Sequence, residues 1–360
     1  MKTAAVSVSE RKTVKIWRSF LIVLISPFVL LALEFFLKSA WPQPPPNFSR
    51  ILFTEQNGHK ILIPQAHGTN YAREFSVDIQ ANQYGYRQGT WPGKPIPGKV
   101  VWLFGDSFTF GWGVEAQETF SARLNQAGFS VYDLGIPDDG WADYEYRFEW
   151  AKTHLPPPDL IVIASYDNDY AYLAKTIFKN DAAKKAIKVR KILVKSQVGR
   201  LLKRISYHLG LTKFFSMYGG SEINVRTAYG RDFSVHEKNY LDSKSGQITL
   251  FWVEHFIEEA KKISSNCILV RIAPGYCNGL SWQKEALSAL GKPPDHYDFN
   301  RLDQELKKIS QKHSISYLKF VPITDLETKN YYYRYDLHLT KLGHEALALE
   351  LLKGINLIKK

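Results

Sequence analysis

Cysteine is scarce in this chain, which has 360 residues and only two cysteines, Cys267 and Cys277. So few cysteines exclude the disulfide-rich scaffolds typical of small secreted proteins. The sequence also lacks a cluster of cysteine and histidine ligands, so we predict no structural metal. Cys267 lies in an apolar run typical of a strand and is predicted to be buried. A disulfide between the two is compatible with an oxidising compartment but does not follow from their spacing.

Acidic residues are outnumbered by basic ones. The chain has 35 Asp and Glu residues against 47 Lys and Arg, which gives a net charge of +12 at pH 7. This charge suits contact with anionic surfaces such as phospholipid headgroups or acidic polymers. Because zinc-finger spacing and RNA-recognition signatures are both absent, we predict no nucleic-acid partner. Hydrophobic residues make up 45% of the chain, which supports a sizeable core and argues against global disorder.

One long run near the N-terminus carries no charge. Phe20–Leu33 reads FLIVLISPFVLLAL, and the segment 16–37 supplies the roughly 20 apolar residues that a bilayer helix needs. Basic residues precede the run, so we predict a cytoplasmic N-terminus over 1–15, an uncleaved transmembrane anchor over 16–37 and export of the remainder. A cleavable signal peptide is the alternative. The run is long for a signal peptide, and no clear cleavage site follows it.

Residues 38–95 are predicted to form a proline-rich linker and a small β-rich preface. The linker contains SAWPQPPPNF, and the preface is indicated by three short runs at Ile51–Phe53, Lys60–Ile63 and Phe75–Ile79. The main domain is predicted over 96–355, where strand and helix patterns alternate. This alternation indicates an α/β fold with a parallel sheet covered on both faces.

The pattern predicts five strands and five helices in this domain. The strands are predicted at Val100–Phe104, Val131–Leu134, Leu160–Ala164, Cys267–Ile272 and Ile315–Phe320. The helices are predicted at Thr119–Ala127, Tyr144–His154, Thr249–Ser264, Phe299–His313 and Lys341–Leu352.

An insertion over about residues 170–248 shows no clear strand of the central sheet. Within it, Lys184–Arg204 carries nine Lys and Arg residues, no Asp or Glu, and an apolar face. Three interpretations remain open. The segment is a basic amphipathic helix on a membrane surface, a positively charged cap over the functional site, or a solvated helix packed on the core.

The stretch Val100–Val114 reads VVWLFGDSFTFGWGV, an apolar strand that runs into Gly105-Asp106-Ser107. Ligands of parallel α/β sheets bind at the carboxyl ends of strands. Ser107 is therefore a candidate nucleophile, which needs a base to activate it. The alternative role for Ser107 is a helix N-cap, and Asp106 is expected to shape the turn.

A candidate base lies near the C-terminus, where the chain reads YDLHLTKLGH from Tyr335. The near-neutral pKa of histidine suits His338 to act as base and then as acid. Asp336, two residues earlier, would orient the ring, although a turn is the alternative role for this residue. His344 competes with His338 but falls in a predicted helix, where packing or capping is expected.

These motifs together resemble the SGNH (GDSL-type) hydrolase family. The shared features are GDS after a strand, Asn168-Asp169 after a middle strand and D-x-H near the C-terminus. The phrases GDSFTFGWGV, DLGIPDDG and DLHLTKLGH, and the segment Asn82–Arg87, resemble the membrane-anchored bacterial branch of that family. The resemblance covers about residues 80–350. It implies a flavodoxin-like three-layer sandwich around a central parallel five-stranded sheet, with no cofactor.

The resemblance also implies an oxyanion hole. Its donors would be the Ser107 N–H, the Asn168 side chain and a backbone N–H near Asp138 or Gly140. The sequence departs from the family pattern twice, because Asp138 and Tyr166 stand where glycines are usual. A carboxylate that points inward at Asp138 would oppose the developing negative charge. Gly140 is the alternative donor if the loop shifts.

The expected function is that of an exported, membrane-anchored serine esterase acting on an ester-linked acyl group of an envelope glycan or lipid. One alternative is an O-acyltransferase that uses the same Ser-His-Asp site. The other is a catalytically weak SGNH-fold domain that binds envelope polymer or a protein partner. Trp112, Trp141 and Tyr276 follow strand ends and are expected either to line a pocket or to belong to the core.

Overall fold

The computed structural model describes residues 25–40, 53–171, 197–198, 201, 233–277 and 281–358. The chain divides into two compact units, one of residues 1–46 and 181–218, the other of residues 47–180 and 219–360. In the first unit, residues 25–40 are helical, and the Glu34 carboxylate accepts the backbone N–H groups of Gln197 and Val198 at 2.6 and 2.9 Å.

Several sequence predictions fall wholly or partly beyond these ranges. Residues 1–15, residues 41–52 of the predicted linker and preface, and most of the insertion at about 170–248 lie outside the described residues. Residues 16–24 of the expected anchor, and all of Lys184–Arg204 except residues 197, 198 and 201, lie outside the described residues. Within the described ranges, no helix combines the length and the apolar character needed to cross a membrane.

The second unit begins with two antiparallel hairpins in the region expected to be a β-rich preface. Strand β1 (Phe53–Gln56) pairs with β2 (His59–Leu62), and β3 (His67–Tyr71) pairs with β4 (Ser76–Gln80). Alternate residues of β4 are buried, as expected for a strand with one face on a core. The predicted runs at Lys60–Ile63 and Phe75–Ile79 fall on β2 and β4.

The central sheet has five parallel strands, as the sequence predicts. They are β5 (Val100–Gly105), β6 (Ser130–Asp133), β7 (Leu160–Tyr166), β8 (Cys267–Ile272) and β9 (Ser316–Phe320). Their order is β6-β5-β7-β8-β9, the flavodoxin-like arrangement. Strand β5 pairs in register with β6 on one side and β7 on the other. The carboxyl end of β5 is therefore the point where the strand order reverses.

In the described part of this unit, nine helices position the site and cover the sheet. They are α1 (Ser107–Phe110), α2 (Phe120–Gln126), α3 (Trp141–His154), α4 (Asp167–Ala171), α5 (Lys244–Ile263), α6 (Ser281–Leu290), α7 (Arg301–Lys312), α8 (Asp325–Tyr331) and α9 (Lys341–Ile358). Helices α1, α4, α6 and α8 were not among the five predicted. Helix α5 begins five residues before its predicted start because the Ser243 hydroxyl accepts the Gly246 N–H as an N-cap.

Alternation along β5 divides the core into two layers. Val101 and Leu103 pack in a cluster with residues of α2 and α9, whereas Trp102 and Phe104 pack in a cluster with residues of α3, α5 and α7. Successive strand side chains point to opposite faces, so an apolar strand buries both of its faces. The result is the helix–sheet–helix sandwich expected for this fold class.

Arg271 on β8 connects the sheet to two helices through buried ion pairs. Its guanidinium donates to both carboxylate oxygens of Asp167 at 2.8 Å and lies 2.8 Å from Asp303 Oδ1 on α7. Burial lowers the pKa of Arg271, but the two carboxylates raise it well above its usual value. Burial raises the pKa of Asp167, but Arg271 and His236 bring it below the usual range. Both partners therefore stay charged inside the protein.

Replacing Arg271 by alanine is expected to lower the free energy of unfolding by about 3–5 kcal/mol, because it leaves a buried carboxylate without its counter-charge. Arg301→Ala is the matched control, since Arg301 pairs with Asp242 at the surface. The control should change stability by less than about 1 kcal/mol. Urea denaturation followed by circular dichroism measures both. Equal losses in the two variants would contradict the structural role of Arg271.

Candidate active site

Ser107 lies on a sharp turn at the carboxyl end of β5. A side chain at Gly105 would place its Cβ 1.9 Å from Thr109 Oγ1 and 2.5 Å from the Ala164 carbonyl oxygen, so only glycine fits there. Asp106 caps the single turn of α1 by accepting the Phe108 N–H at 2.9 Å. Ser107 is 8% exposed, whereas the neighbouring Asp106 is completely buried.

The structure brings together the three residues that the sequence analysis proposed for nucleophilic chemistry. His338 Nε2 lies 2.8 Å from Ser107 Oγ, and His338 Nδ1 lies 2.6 Å from Asp336 Oδ1. The imidazole therefore contacts the hydroxyl with one nitrogen and the carboxylate with the other. Such an arrangement allows Nδ1–H to be held by the carboxylate while Nε2 accepts the serine proton.

The surroundings of His338 favour its protonated form. Burial lowers the pKa of His338, but the charge and hydrogen bond of Asp336 outweigh this effect and raise the pKa above its usual value. The charges of Asp106 and Asp138 act in the same direction. The Phe108 ring centroid lies 4.7 Å from that of the imidazole, and the Trp112 centroid lies 6.0 Å away. These rings restrict the orientation of the base.

Asn168, expected to be an oxyanion donor, lies beside the nucleophile turn. It follows β7 in α4, and its side chain is hydrogen-bonded to the Asp106 carboxylate. An amide nitrogen has two N–H donors, so one remains for a second acceptor. Burial raises the pKa of Asp106, while the Phe108 N–H, His338 and Asn168 oppose that rise. Asp106 thus holds the turn through its hydrogen bonds, which is the turn-shaping role expected from the sequence.

Asp138 has a left-handed backbone, a conformation that glycine adopts readily. Its φ is +67°, in the left-handed region that asparagine and aspartate tolerate better than other residues. The side chain is 69% exposed and forms an ion pair with Lys60 at 2.6 Å. The carboxylate is therefore directed toward solvent. The neighbouring Asp139 is buried and anchors the loop through Arg147, with Nε 2.6 Å from Oδ2.

Gly140 does not fit the role of an oxyanion donor. Its N–H donates to the Asp143 carboxylate at 3.1 Å, and its carbonyl accepts the N–H groups of Asp143 and Tyr144. Gly140 is the N-cap of α3, so its polar groups are used by the helix start. Of the two loop positions considered, Asp138 remains the candidate.

Tyr166 is the second residue that stands where the resemblance implies a glycine. Its ring is directed into the core. The ring is stacked on Phe108 with centroids 3.9 Å apart. Its backbone N–H donates to Asp169 Oδ2 at 2.9 Å, and that oxygen also accepts the Tyr144 hydroxyl at 2.8 Å. Asp169 thus holds the end of β7. Tyr166 supports the Phe108 ring that contacts His338.

The other candidates occupy structural positions. His344 is buried, its Nδ1 accepts the Phe120 N–H at 3.3 Å, and burial lowers its pKa to about 3, which fits the expected packing and capping role. Trp141 and Tyr276 are each 1% exposed and belong to the core. Of the three aromatic residues considered, only Trp112 adjoins the site. Cys267 is buried in β8, as predicted.

Arg87 is a functional residue that the sequence analysis did not identify. It is 1% exposed, and its guanidinium donates to the carbonyl oxygens of Phe110, Gly111 and Val114 at 2.8, 2.5 and 2.5 Å. Burial lowers the pKa of Arg87 to about 10, which leaves it charged near neutrality. The arginine thus fixes the loop that follows the nucleophile turn. The sequence pointed to this residue only through its position in Asn82–Arg87, a segment that resembles the membrane-anchored branch of the SGNH family.

The fold also brings together ligand-type side chains that are distant in sequence. Asp167, His236 and Cys277 are buried with their ligand atoms within 4.8 Å of one another. Both Asp167 oxygens already accept N–H groups of Arg271, and His236 Nε2 lies 2.7 Å from Oδ2. A metal ion would compete with the guanidinium for this carboxylate. Hydrogen bonding accounts for the cluster, and we assign no metal to it.

Comparisons with known proteins give only distant similarities. No protein-family profile matches the chain, and no curated protein sequence matches it. A solved structure of a lipolytic protein G-D-S-L family member from Veillonella parvula is 12% identical, with 71% of this chain and 97% of that chain covered and a TM-score of 0.39.

Two further solved structures show the same level of similarity. A catalytic mutant of Axe2, an acetylxylan esterase from Geobacillus stearothermophilus, is 14% identical, with 73% of this chain and 95% of that chain covered and a TM-score of 0.38. The psychrotrophic esterase EstA from Pseudoalteromonas sp. is 10% identical, with 72% and 97% covered and a TM-score of 0.39. Sequence identities and TM-scores this low do not indicate a function for this chain.

Replacing Asp336 by asparagine is expected to lower the pKa of His338, because it removes the charge that favours the imidazolium while burial remains. Titration of the His338 ring protons by NMR measures the change. Asp138→Asn is the control, since that carboxylate is exposed and its effect is weakened by solvent. A His338 pKa that stays unchanged in Asp336→Asn, or that moves further in the control, would contradict this account of the site.

Proposed function

We propose that the chain is a serine esterase of the SGNH type, in which Ser107 is the nucleophile and His338 the general base. The observation that carries this proposal is the continuous contact from Ser107 Oγ through His338 to Asp336, at 2.8 and 2.6 Å. A free hydroxyl is a weak nucleophile without a base, and in this relay His338 supplies the base. Ester hydrolysis is the reaction class that the relay serves best.

Acylation follows from the geometry of the relay. Ser107 Oγ bonds to the ester carbonyl carbon while its proton passes to His338 Nε2. Asp336 stabilises the resulting imidazolium through Nδ1. The tetrahedral intermediate then collapses, the bond to the alcohol oxygen breaks, and His338 donates its proton to that leaving oxygen. The product of this half-reaction is an acyl ester on Ser107.

Deacylation uses the same groups in reverse. A water molecule attacks the acyl carbon and gives a proton to His338 Nε2. Collapse breaks the bond to Ser107 Oγ, which recovers the proton, and a carboxylic acid is released. In both half-reactions the Ser107 N–H, the Asn168 amide and the Asp138 N–H are the proposed donors to the oxyanion. One such side-chain donor is worth about 3 kcal/mol in the transition state.

The two unusual residues do not argue for a binding domain without activity. Asp138 directs its carboxylate to solvent and Tyr166 packs its ring against Phe108, so neither side chain is aimed at the developing charge. An O-acyltransferase would share the acyl-enzyme and differ only in its acceptor. Acid release in the absence of an alcohol acceptor separates hydrolysis from transfer.

We further propose that residues 16–37 anchor the protein in a membrane, with the esterase domain outside the cytoplasm. The uncharged run Phe20–Leu33 and its basic N-terminal flank support this topology. An acylated envelope glycan or lipid is the proposed substrate, because a domain in that location faces such polymers. The net charge of +12 suits an anionic surface, and Lys184–Arg204 is a proposed second contact with it.

Hydrolysis of p-nitrophenyl acetate by the purified full chain in detergent tests the esterase activity. Ser107→Ala is expected to lower kcat/KM by about 10³-fold or more, since the nucleophile is lost. Ser130→Ala is the matched control, because Ser130 is buried at the start of β6, at the opposite end of the sheet. Equal rates for wild type and Ser107→Ala would refute the proposal.

Substituting lysines into the apolar run tests the anchor. Val29→Lys combined with Leu30→Lys should release the protein from membranes during alkaline carbonate extraction, because each central lysine adds about 3 kcal/mol to insertion. Val29→Ile combined with Leu30→Ile should leave it membrane-bound. Wild-type protein that is itself extracted would show that this segment is not an anchor.

A further inference from the structure

Glu74 lies outside the central sheet but contacts the loop that carries Asp336 and His338. It sits in the turn between β3 and β4, where Oε1 accepts the Arg334 N–H at 2.7 Å. Its Oε2 accepts the N–H groups of Tyr335 and Asp336 at 2.8 and 2.9 Å. One carboxylate therefore binds three consecutive backbone N–H groups, the last of which belongs to Asp336.

The residues before and after Glu74 in the sequence also contact the Asp336 loop. The Arg73 guanidinium lies 3.8 Å from the centroid of the Tyr335 ring. The Phe75 and Tyr333 ring centroids are 5.2 Å apart, and the Tyr333 hydroxyl donates to the Gly113 carbonyl at 2.8 Å. The turn at residues 73–75 thus contacts the Asp336 loop directly and reaches the nucleophile loop through Tyr333.

The loop needs such support because its backbone is strained beside the reacting groups. Leu337, between Asp336 and His338, has a φ of +72°, in the left-handed region that branched side chains rarely adopt. Residues in such conformations persist when their surroundings hold them there. Charge-assisted hydrogen bonds to a carboxylate are about twice as strong as neutral ones, so Glu74 is well suited to this task.

We propose that Glu74 is a positioning residue for the esterase reaction, which fixes the Asp336 carboxylate against His338 Nδ1. This inference rests on the proposed function. The negative charge of Glu74 is required because three N–H donors converge on its two oxygens. A glutamine side chain has one acceptor oxygen, and its NH₂ group would face at least one of these donors.

Glu74→Gln is expected to reduce kcat for p-nitrophenyl acetate by about ten- to a hundredfold with little change in KM, because the catalytic geometry loosens while the substrate contacts remain. Glu74→Asp keeps the charge and should recover part of the loss. Glu327→Gln is the matched control, since Glu327 is a half-buried carboxylate that accepts a backbone N–H, from Ile323 at 2.7 Å, away from the Asp336 loop.

The pH profile separates positioning from a merely structural role. Asp336 and Asp106 are the carboxylates beside His338, the exposed Asp138 acts on it more weakly, and the charge of His338 lowers the pKa of His344. When Asp336 moves away, the pKa of His338 falls, and the acidic limb of kcat/KM shifts to lower pH. A loss of folded protein would lower the amplitude of the profile without moving this limb.

Ser107→Ala measured in parallel keeps the two proposals distinguishable. If Ser107→Ala is inactive while Glu74→Gln matches Glu327→Gln in kcat and pH profile, the role of Glu74 is refuted and the esterase stands. If Ser107→Ala keeps full activity, the esterase proposal fails, and the NMR-measured pKa of His338 in Glu74→Gln decides the role of Glu74. A fall in that pKa supports it, and an unchanged value refutes it. Should Glu74→Gln not fold, Glu74→Asp is subjected to the same comparison.

Discussion

The hydrogen bond between Ser107 Oγ and His338 Nε2 is the contact on which the site depends, and it joins residues 231 positions apart. Ser107 is fixed by the end of β5, an interior strand of the sheet. His338 follows β9 at the sheet edge, so its loop must run back across the carboxyl ends of the strands. The Tyr332 hydroxyl anchors this loop to the Ala273 carbonyl at 2.7 Å, and Tyr333 N–H donates to the His338 carbonyl at 2.8 Å.

Three buried arginines hold the loops around this contact. Arg87 binds the carbonyl groups after the nucleophile turn, Arg147 binds Asp139 beside the proposed oxyanion donor, and Arg271 binds Asp167 beside Asn168. Each guanidinium is fully buried, and each satisfies carbonyl or carboxylate oxygens that would otherwise be desolvated without a partner. Buried cations are expensive unless paired in this way. Because the three arginines hold three separate loops, we infer that they keep the site rigid.

Asp138 and Tyr166 stand where the resemblance implies glycines, and the structure accommodates each of them in a different way. At position 138 the chain needs a left-handed backbone, which aspartate tolerates, and the carboxylate leaves the site for solvent and Lys60. At position 166 no such backbone is required, because Tyr166 ends a regular strand and its ring extends the core by stacking on Phe108. Neither residue therefore places its side chain between Ser107 and His338.

Much of the fold could be predicted from sequence patterns: the central sheet, five of the nine helices described in this unit, and Ser107, His338 and Asp336, which the fold brings into contact. Those features have local signals, since strand and helix periodicity extends over a few neighbours and GDS and D-x-H are contiguous motifs. Other features needed the three-dimensional arrangement: Gly140 serves as a helix N-cap, Asp138 points outward, and Arg87 and Glu74 hold loops beside Ser107 and His338. The roles of Arg87 and Glu74 depend on backbone N–H and carbonyl groups that are distant in sequence. Every residue carries such groups, so no residue pattern reveals which of them a buried charge will bind.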